Sequence, residues 1–207
     1  TLMGAGLAGP IKDADYLSLL PAGGLIVLYL TAYGGALHWG LYGSGVAALA
    51  ASGISVLALL LLPLPLLQHP VFTMITVSGT YLAPLFLPDL RGGAFESMVF
   101  FLAWDLAFVF WAASLASREL LLLAGYLAIG CFAASSPTIY WTNAGPPELL
   151  RAASFQFVQF LVFAGGAAAY SRRTGKAMTT NEAWAFLPLL IFFYGTEYYL
   201  LTRLAPA

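Results

Sequence analysis

Charge is what this chain has least of. Only 8% of its 207 residues are charged, against roughly 25% in a soluble domain, and a soluble fold cannot cover its surface with so few. Eight Lys and Arg face nine Asp and Glu for a net charge of −1. No basic field results, and no run of Lys or Arg interleaved with aromatics is present, which excludes a nucleic-acid partner. Cysteine is nearly missing as well. Cys131, alone in LAIGCFAA, forbids an intrachain disulfide and a thiolate metal cage, and reads as a small buried hydrophobe. Histidine occurs only as His38 and His69, so a site built on several imidazoles is excluded too.

What the chain has instead is hydrophobic residues, 61% of the total, in long uninterrupted blocks. Runs of about 18 or more read as membrane-spanning helices. The fold expected is therefore all-α, a polytopic transmembrane helix bundle forming one domain over 1–207. About seven spans are predicted, at 21–39, 43–62, 71–87, 94–116, 120–134, 149–170 and 183–204. Pro21 suits the first turn of the first span, and the prolines of PLPLLQHP end the second. Gly79 and Pro84 interrupt the third. Ser117-Arg118-Glu119 reads as a tight polar turn between antiparallel helices. Glu148 suits the first turn of a helix begun by Pro146 and Pro147, and Thr179 with Glu182 has capping-box spacing.

Positive charge is retained on the cytoplasmic side of short loops. Lys12, Arg118, Arg172, Arg173 and Lys176 fall on one face, against Arg91, Arg151 and Arg203 on the other. That bias places the N-terminus in the cytoplasm. The opening TLMGAGLAGPIKDAD lacks the ordered regions of a signal peptide, and its start at Thr suits a segment of a longer chain.

Lipid is as apolar as leucine, so spans associate through close approach at small residues. Gly43, Ala47, Ala51 and Ser55 recur every four residues and predict one packing seam. Gly165 and Gly166, in FAGGAAA, predict another. Membrane lipids and other membrane protein subunits are the partners this composition implies.

Several stretches resemble a bacterial family of multi-pass membrane proteins known as domain of unknown function 2339. PAGGLIVLYLTAYGGALHWGLY is similar to that family's Gly-rich opening of a helix followed by Leu-Tyr-Leu-Ser/Thr and a second Tyr, carried here by Gly23, Gly24, Leu28, Tyr29, Leu30, Thr31 and Tyr33. TVSGTYLAPLFLP resembles its Gly-Gly-aromatic-Leu-Ala/Thr-Pro stretch, through Gly79, Tyr81, Leu82, Ala83 and Pro84, with Thr80 where a second Gly is usual. The likeness covers about residues 16–132. It implies a multi-pass protein of the bacterial cytoplasmic membrane, and no catalytic residues come with it. Members of the family are generally longer, with a charged N-terminal segment.

Chemistry has few places to reside. YGSGV is close to the Gly-x-Ser-Gly of intramembrane serine proteases, but position 42 is Tyr42 rather than Gly, and His38 is not held beside Ser44 by a third group. His38 alone can ligate the metal of a pigment or a haem; with His69 near the opposite membrane face, a haem held by both is excluded. The aromatics of SSPTIYWTNAGPP read as interfacial anchors. Two acids remain, Asp105 in FFLAWDLAFVFW and Glu197 in FFYGTEYYLLTR. On insertion scales an acid at a helix centre costs about 3 kcal/mol, so it is protonated, paired or turned to a polar interior. Glu197 is expected near the interface. Asp105 is expected to face the bundle or a partner and to be held by hydrogen bonds rather than a salt bridge.

Two functions compete on this reading. One is a structural or assembly subunit of a larger membrane complex with no catalysis of its own. The other is a small-molecule or proton-coupled transporter using Asp105, although no internal repeat of the kind common in transporters is present.

Overall fold

The computed structural model describes residues 14–62, 69–87, 94–140, 144–175 and 177–205, and all regular structure among them is helical. Lys12, Pro63, Pro65, Arg91, Trp141, Asn143 and Lys176 lie outside the described residues. Among the described residues six helices are long and apolar enough to cross a membrane, and the protein is an integral, multi-pass membrane protein. Where hydropathy reads as one continuous domain, contacts divide the chain into two compact units, residues 1–93 and 94–207. Hydropathy is blind to which helices touch.

The first unit holds α1 (Ala14–Leu37), α2 (Ser44–Leu61), α3 (Pro70–Tyr81) and the single turn α4 (Ala83–Phe86). The expected start at Pro21 is corrected, because α1 begins seven residues earlier and Pro21 lies inside it. A proline is tolerated within a membrane helix where neighbours satisfy the freed carbonyl, and Pro21 is buried. After α1 the chain turns at Gly40, whose φ of 58° is a left-handed conformation that favours glycine. Tyr42 then folds back, donating to the carbonyls of Ala32 at 2.9 Å and Thr31 at 3.1 Å. Its phenol occupies the space a Cβ on Gly35 would need.

The third expected span is broken at Leu82, ahead of Pro84, whereas Gly79, expected to interrupt it too, lies inside α3. Twelve residues of α3 rise about 18 Å, short of the roughly 30 Å hydrocarbon core. At Leu82 the ladder ends with a bond to the Ser78 carbonyl and restarts when Leu85 and Phe86 donate to Leu82. Pro84 has no N–H to continue it.

The second unit is an up-down-up-down bundle of α5 (Ala94–Leu115), α6 (Arg118–Ser135), α8 (Pro146–Thr174) and α9 (Thr180–Leu204), with a turn, α7 (Pro137–Tyr140), between α6 and α8. Helix α8 is its hub and packs on α5, α6 and α9. Its buried residues Leu149, Ala152, Gln156, Gln159, Phe163, Gly166 and Tyr170 follow three- and four-residue steps along one face. Helix α9 opens with the expected capping box: Glu182 N–H donates to Thr179 Oγ1 at 3.3 Å and Thr179 N–H to Glu182 Oε2 at 2.7 Å. The expected tight turn is present but lies at Ala116 and Ser117, and Arg118 and Glu119 already belong to the next helix. Ser117 caps α6 by accepting from the Leu120 N–H at 3.2 Å, and Arg118 is the first helical residue.

The seams are narrower than expected. On α2, Ala47, Ala51 and Ser55 are buried, each at most 1% exposed. Gly43 is the exposed residue before the helix and is not part of the seam, since the extended backbone there turns it off the helical face. Of the two α8 glycines only Gly166 is a contact residue; a Cβ there would come within 2.7 Å of Val109 and 3.2 Å of Leu121. Gly165 is exposed and has nothing within 4 Å. One residue turns the helix by about 100°, enough to carry it off the contact.

Candidate functional site

Polar side chains are concentrated in two places, one in each unit, and they differ in how completely their hydrogen bonds are met.

In the first unit, α1 and α3 run parallel, because Tyr29 reaches Thr76 and Tyr33 reaches Gly79. Tyr29 and Ser55 are hydrogen-bonded oxygen to oxygen at 2.6 Å, as are Ser55 and Thr80. Ser55 also donates to the Ala51 carbonyl at 3.0 Å and Thr80 to the Thr76 carbonyl at 2.8 Å. The Tyr33 hydroxyl donates to the Gly79 carbonyl. Each of these hydroxyls thus has at least one partner within the unit, and three helices are joined. Gly79 is glycine because the Tyr29 ring lies where a Cβ would be, within 2.5 Å.

In the second unit, Asp105 stands twelfth of the 22 residues of α5 and is 0% exposed. Gln159 of α8, also 0% exposed, donates its amide Nε2–H to Asp105 Oδ2 at 2.8 Å. One turn earlier, Gln156 donates to Thr196 Oγ1 of α9 at 3.2 Å. Thr196 in turn donates to carbonyls of its own helix, at 2.9 Å to Phe193 and 3.1 Å to Phe192. The chain of contacts crosses three helices at mid-span. It is not saturated: the carbonyl oxygens of Gln156 and Gln159 are buried without a partner. An unpaired amide oxygen on Gln159, whose nitrogen bonds the Asp105 carboxyl, suits a proton or a hydrogen-bond donor, and the arrangement offers no nucleophile with a base.

The two glutamines were legible as polar residues of SFQFVQFL, at positions i and i+3 and hence on one helix face. Only the packing pairs them with Asp105 and Thr196. Arg118 is a second residue that a loop reading misses. It is 8% exposed, forms an ion pair with Glu182, donates Nη2–H to the Ala177 carbonyl at 3.1 Å and lies 4.7 Å from the centre of the Tyr170 ring. The Tyr170 hydroxyl closes the group by donating to the Ala116 carbonyl at 2.9 Å.

Glu197 lies partly exposed on α9 with its Oε2 buried and unpaired. Arg203, one and a half turns on, donates to the Ile139 carbonyl at 2.7 Å and sits 5.6 Å from the Tyr199 ring centre. Tyr140, between these groups, is 7% exposed; burial pushes its phenol well above the usual tyrosine range, and the Glu197 charge acts in the same direction. His38 is exposed at the end of α1, edge-on to Trp39 at 5.5 Å. His69 precedes α3, which puts the two histidines at opposite ends of the first unit. Among the described residues no three His, Cys, Asp or Glu gather as a metal site.

Comparison with family models, with curated proteins and with solved structures finds no match to this chain.

Proposed function

We propose that this chain is a structural or assembly subunit of a larger membrane protein complex, with no catalysis of its own. The observation that carries this is the outer face of α9. Only Leu189 and Leu200 of its 25 residues are buried, and the face left over carries Tyr194 at 70% and Tyr198 at 60% exposure, their rings stacked 6.2 Å apart. Tyr194 is ten residues, about 15 Å, from the C-terminal end of the helix. Helical side chains lean towards the N-terminus, so this phenol points away from the nearer interface. A hydroxyl left unpaired in hydrocarbon costs about 1–3 kcal/mol, and a polar group of a partner helix removes that cost.

The resemblance to the bacterial multi-pass family supports placement in a bacterial cytoplasmic membrane. Orientation follows from charge: Arg118, Arg172 and Arg173 share one end of the second unit, Arg151 and Arg203 the other, which favours the first end as cytoplasmic.

Native mass spectrometry from mild detergent, combined with a photo-crosslinking residue at position 194, tests the reading. An assembly heavier than the monomer and intermolecular crosslinks from position 194 are expected. An isolated monomer whose position 194 crosslinks only lipid or its own chain overturns it. The transporter reading has one specific support, the unpaired oxygen of Gln159, whose nitrogen is bonded to Asp105. A pH-dependent flux in proteoliposomes of the purified chain, lost in Asp105→Asn, would replace the subunit reading with that one.

A further inference from the structure

A groove with a cavity volume of about 590 Å³ runs along the second unit between α6 and α9. It exists because both walls are thin. Gly130, Ala133 and Ala134 form one side and Gly195 part of the other, and neither glycine has any atom within 4 Å of where its Cβ would be. On α9 the lining extends from Ile191 to Tyr199, eight residue steps and about 12 Å of helix rise. That is close to the hydrocarbon depth of one leaflet, about half of the roughly 30 Å core.

Of the polar side chains on the walls, Thr196 and Tyr199 are engaged, and the Tyr140 hydroxyl, at the end where Tyr140 stacks on Tyr199, has no partner among the described residues. Thr196 donates to carbonyls of its own helix and accepts from Gln156, and the Tyr199 hydroxyl donates to the Tyr140 carbonyl at 2.7 Å. Away from the Tyr140 end, then, the groove offers apolar surface, and the occupant that matches there is a hydrocarbon chain. One end is different. Tyr140 and Tyr199 stack there with centroids 6.5 Å apart, and Arg203, four residues beyond Tyr199 and hence on the same helix face, brings a guanidinium over the Tyr199 ring. Both α6 and α9 end at this level, shown by the bonds from Tyr199 to Tyr140 and from Arg203 to Ile139. It is therefore the level of the membrane interface, where lipid phosphates lie.

We propose that this groove is a binding site for one acyl chain of an anionic glycerophospholipid, with the chain against Gly130, Ala134 and Gly195 and the phosphate at the Arg203 end. Such a lipid differs from bulk lipid in exchanging slowly and in being selected by headgroup. The proposal concerns a lipid-facing groove and stands whether or not the outer face of α9 meets another subunit.

The test uses the full chain in vesicles of phosphatidylcholine with phosphatidylglycerol, doped with a phospholipid bearing a photoactivatable diazirine on its acyl chain. Adducts mapped by peptide mass spectrometry are expected to concentrate on 130–134 and 191–199, above the level on the outward face of α2 around Leu49 and Leu60. Gly195→Phe, whose side chain fills the groove from a position with open space, loses these adducts several-fold while the α2 adducts stay. Ala134→Phe does the same from the other wall, should the first variant fail to fold. Arg203→Gln keeps labelling but removes the preference for a phosphatidylglycerol probe over a phosphatidylcholine probe. Uniform labelling, labelling unchanged by both groove-filling variants, no headgroup preference in the unsubstituted protein, or capture only by a free diazirine fatty acid each overturns the proposal.

Discussion

Individual residues here carry two kinds of stabilisation and one of strain. Asp105 is held by an amide, so its role in packing does not require a charge. Asp105→Asn keeps an acceptor for Gln159 and is expected to retain the thermal stability of the parent in detergent. Asp105→Leu leaves the Gln159 N–H without that acceptor in a water-free core and is expected to lower stability by about 1–3 kcal/mol. Equal melting of Asp105→Leu and the parent would show that the contact contributes nothing. Arg118 is a different case, since its planar fork meets Glu182 and the Ala177 carbonyl while lying on Tyr170. A lysine cannot reproduce those directions together, so Arg118→Lys is expected to destabilise by about 1–2 kcal/mol despite keeping the charge. Ala116 shows backbone strain: its φ of 52° is left-handed, and Ser117 N–H closes the turn on the Ala112 carbonyl. Ala116 is exposed, so Ala116→Gly loses little contact and is expected to raise stability by about 1 kcal/mol. Each of these is read from melting in the same detergent.

Helices associate in these bundles by close approach and by hydroxyl bonds, and the two can be tested apart. On α8, Gly166 and Gly165 are neighbours in sequence with opposite surroundings. Gly166→Leu places a side chain into Val109 and Leu121 and is expected to cost about 1–3 kcal/mol or more, whereas Gly165→Leu is expected to be near neutral. Equal effects at both positions would mean that α8 is rotated from the arrangement described. In the first unit, Tyr29→Phe removes one link of the Tyr29, Ser55 and Thr80 network and is expected to cost about 1 kcal/mol, in the range measured for hydrogen bonds between membrane helices. Tyr29→Ala should cost more, because the ring also covers Gly79.

Across the whole molecule the polar inventory is uneven. The first unit closes its buried hydroxyl bonds internally, while the second leaves amide oxygens of Gln156 and Gln159 unpaired and presents a helix, α9, with little of its surface buried. Function is thus expected to reside in the second unit, either through subunits seated on α9 or through the Asp105 cluster. Substituting the exposed tyrosines together, Tyr194→Leu with Tyr198→Leu, separates the two. Loss of the higher-mass assembly with unchanged monomer melting is expected, and an assembly that survives both changes places the partner elsewhere.

What the amino-acid sequence determined by itself is the solvent of this protein and some of its element ends. Hydropathy is a sum over neighbouring residues, so apolar blocks predicted about seven spans, six of which are long helices and the third a broken one, and local chemistry located several ends: the Thr179 and Glu182 box, the Pro146 and Pro147 start, the break before Pro84. Pro21 was the exception, because a proline is compatible with either a helix start or a helix interior, and neighbours rather than local sequence decide which. Tertiary structure alone decided which side of each helix matters. Asp105 and Gln159 are 54 residues apart, Arg118 and Glu182 are 64 apart, and nothing in either neighbourhood names the other. Gly165 and Gly166 were indistinguishable in FAGGAAA for the same reason: in an all-apolar helix no polar face sets the rotation, so only the shapes of the helices packed against it do.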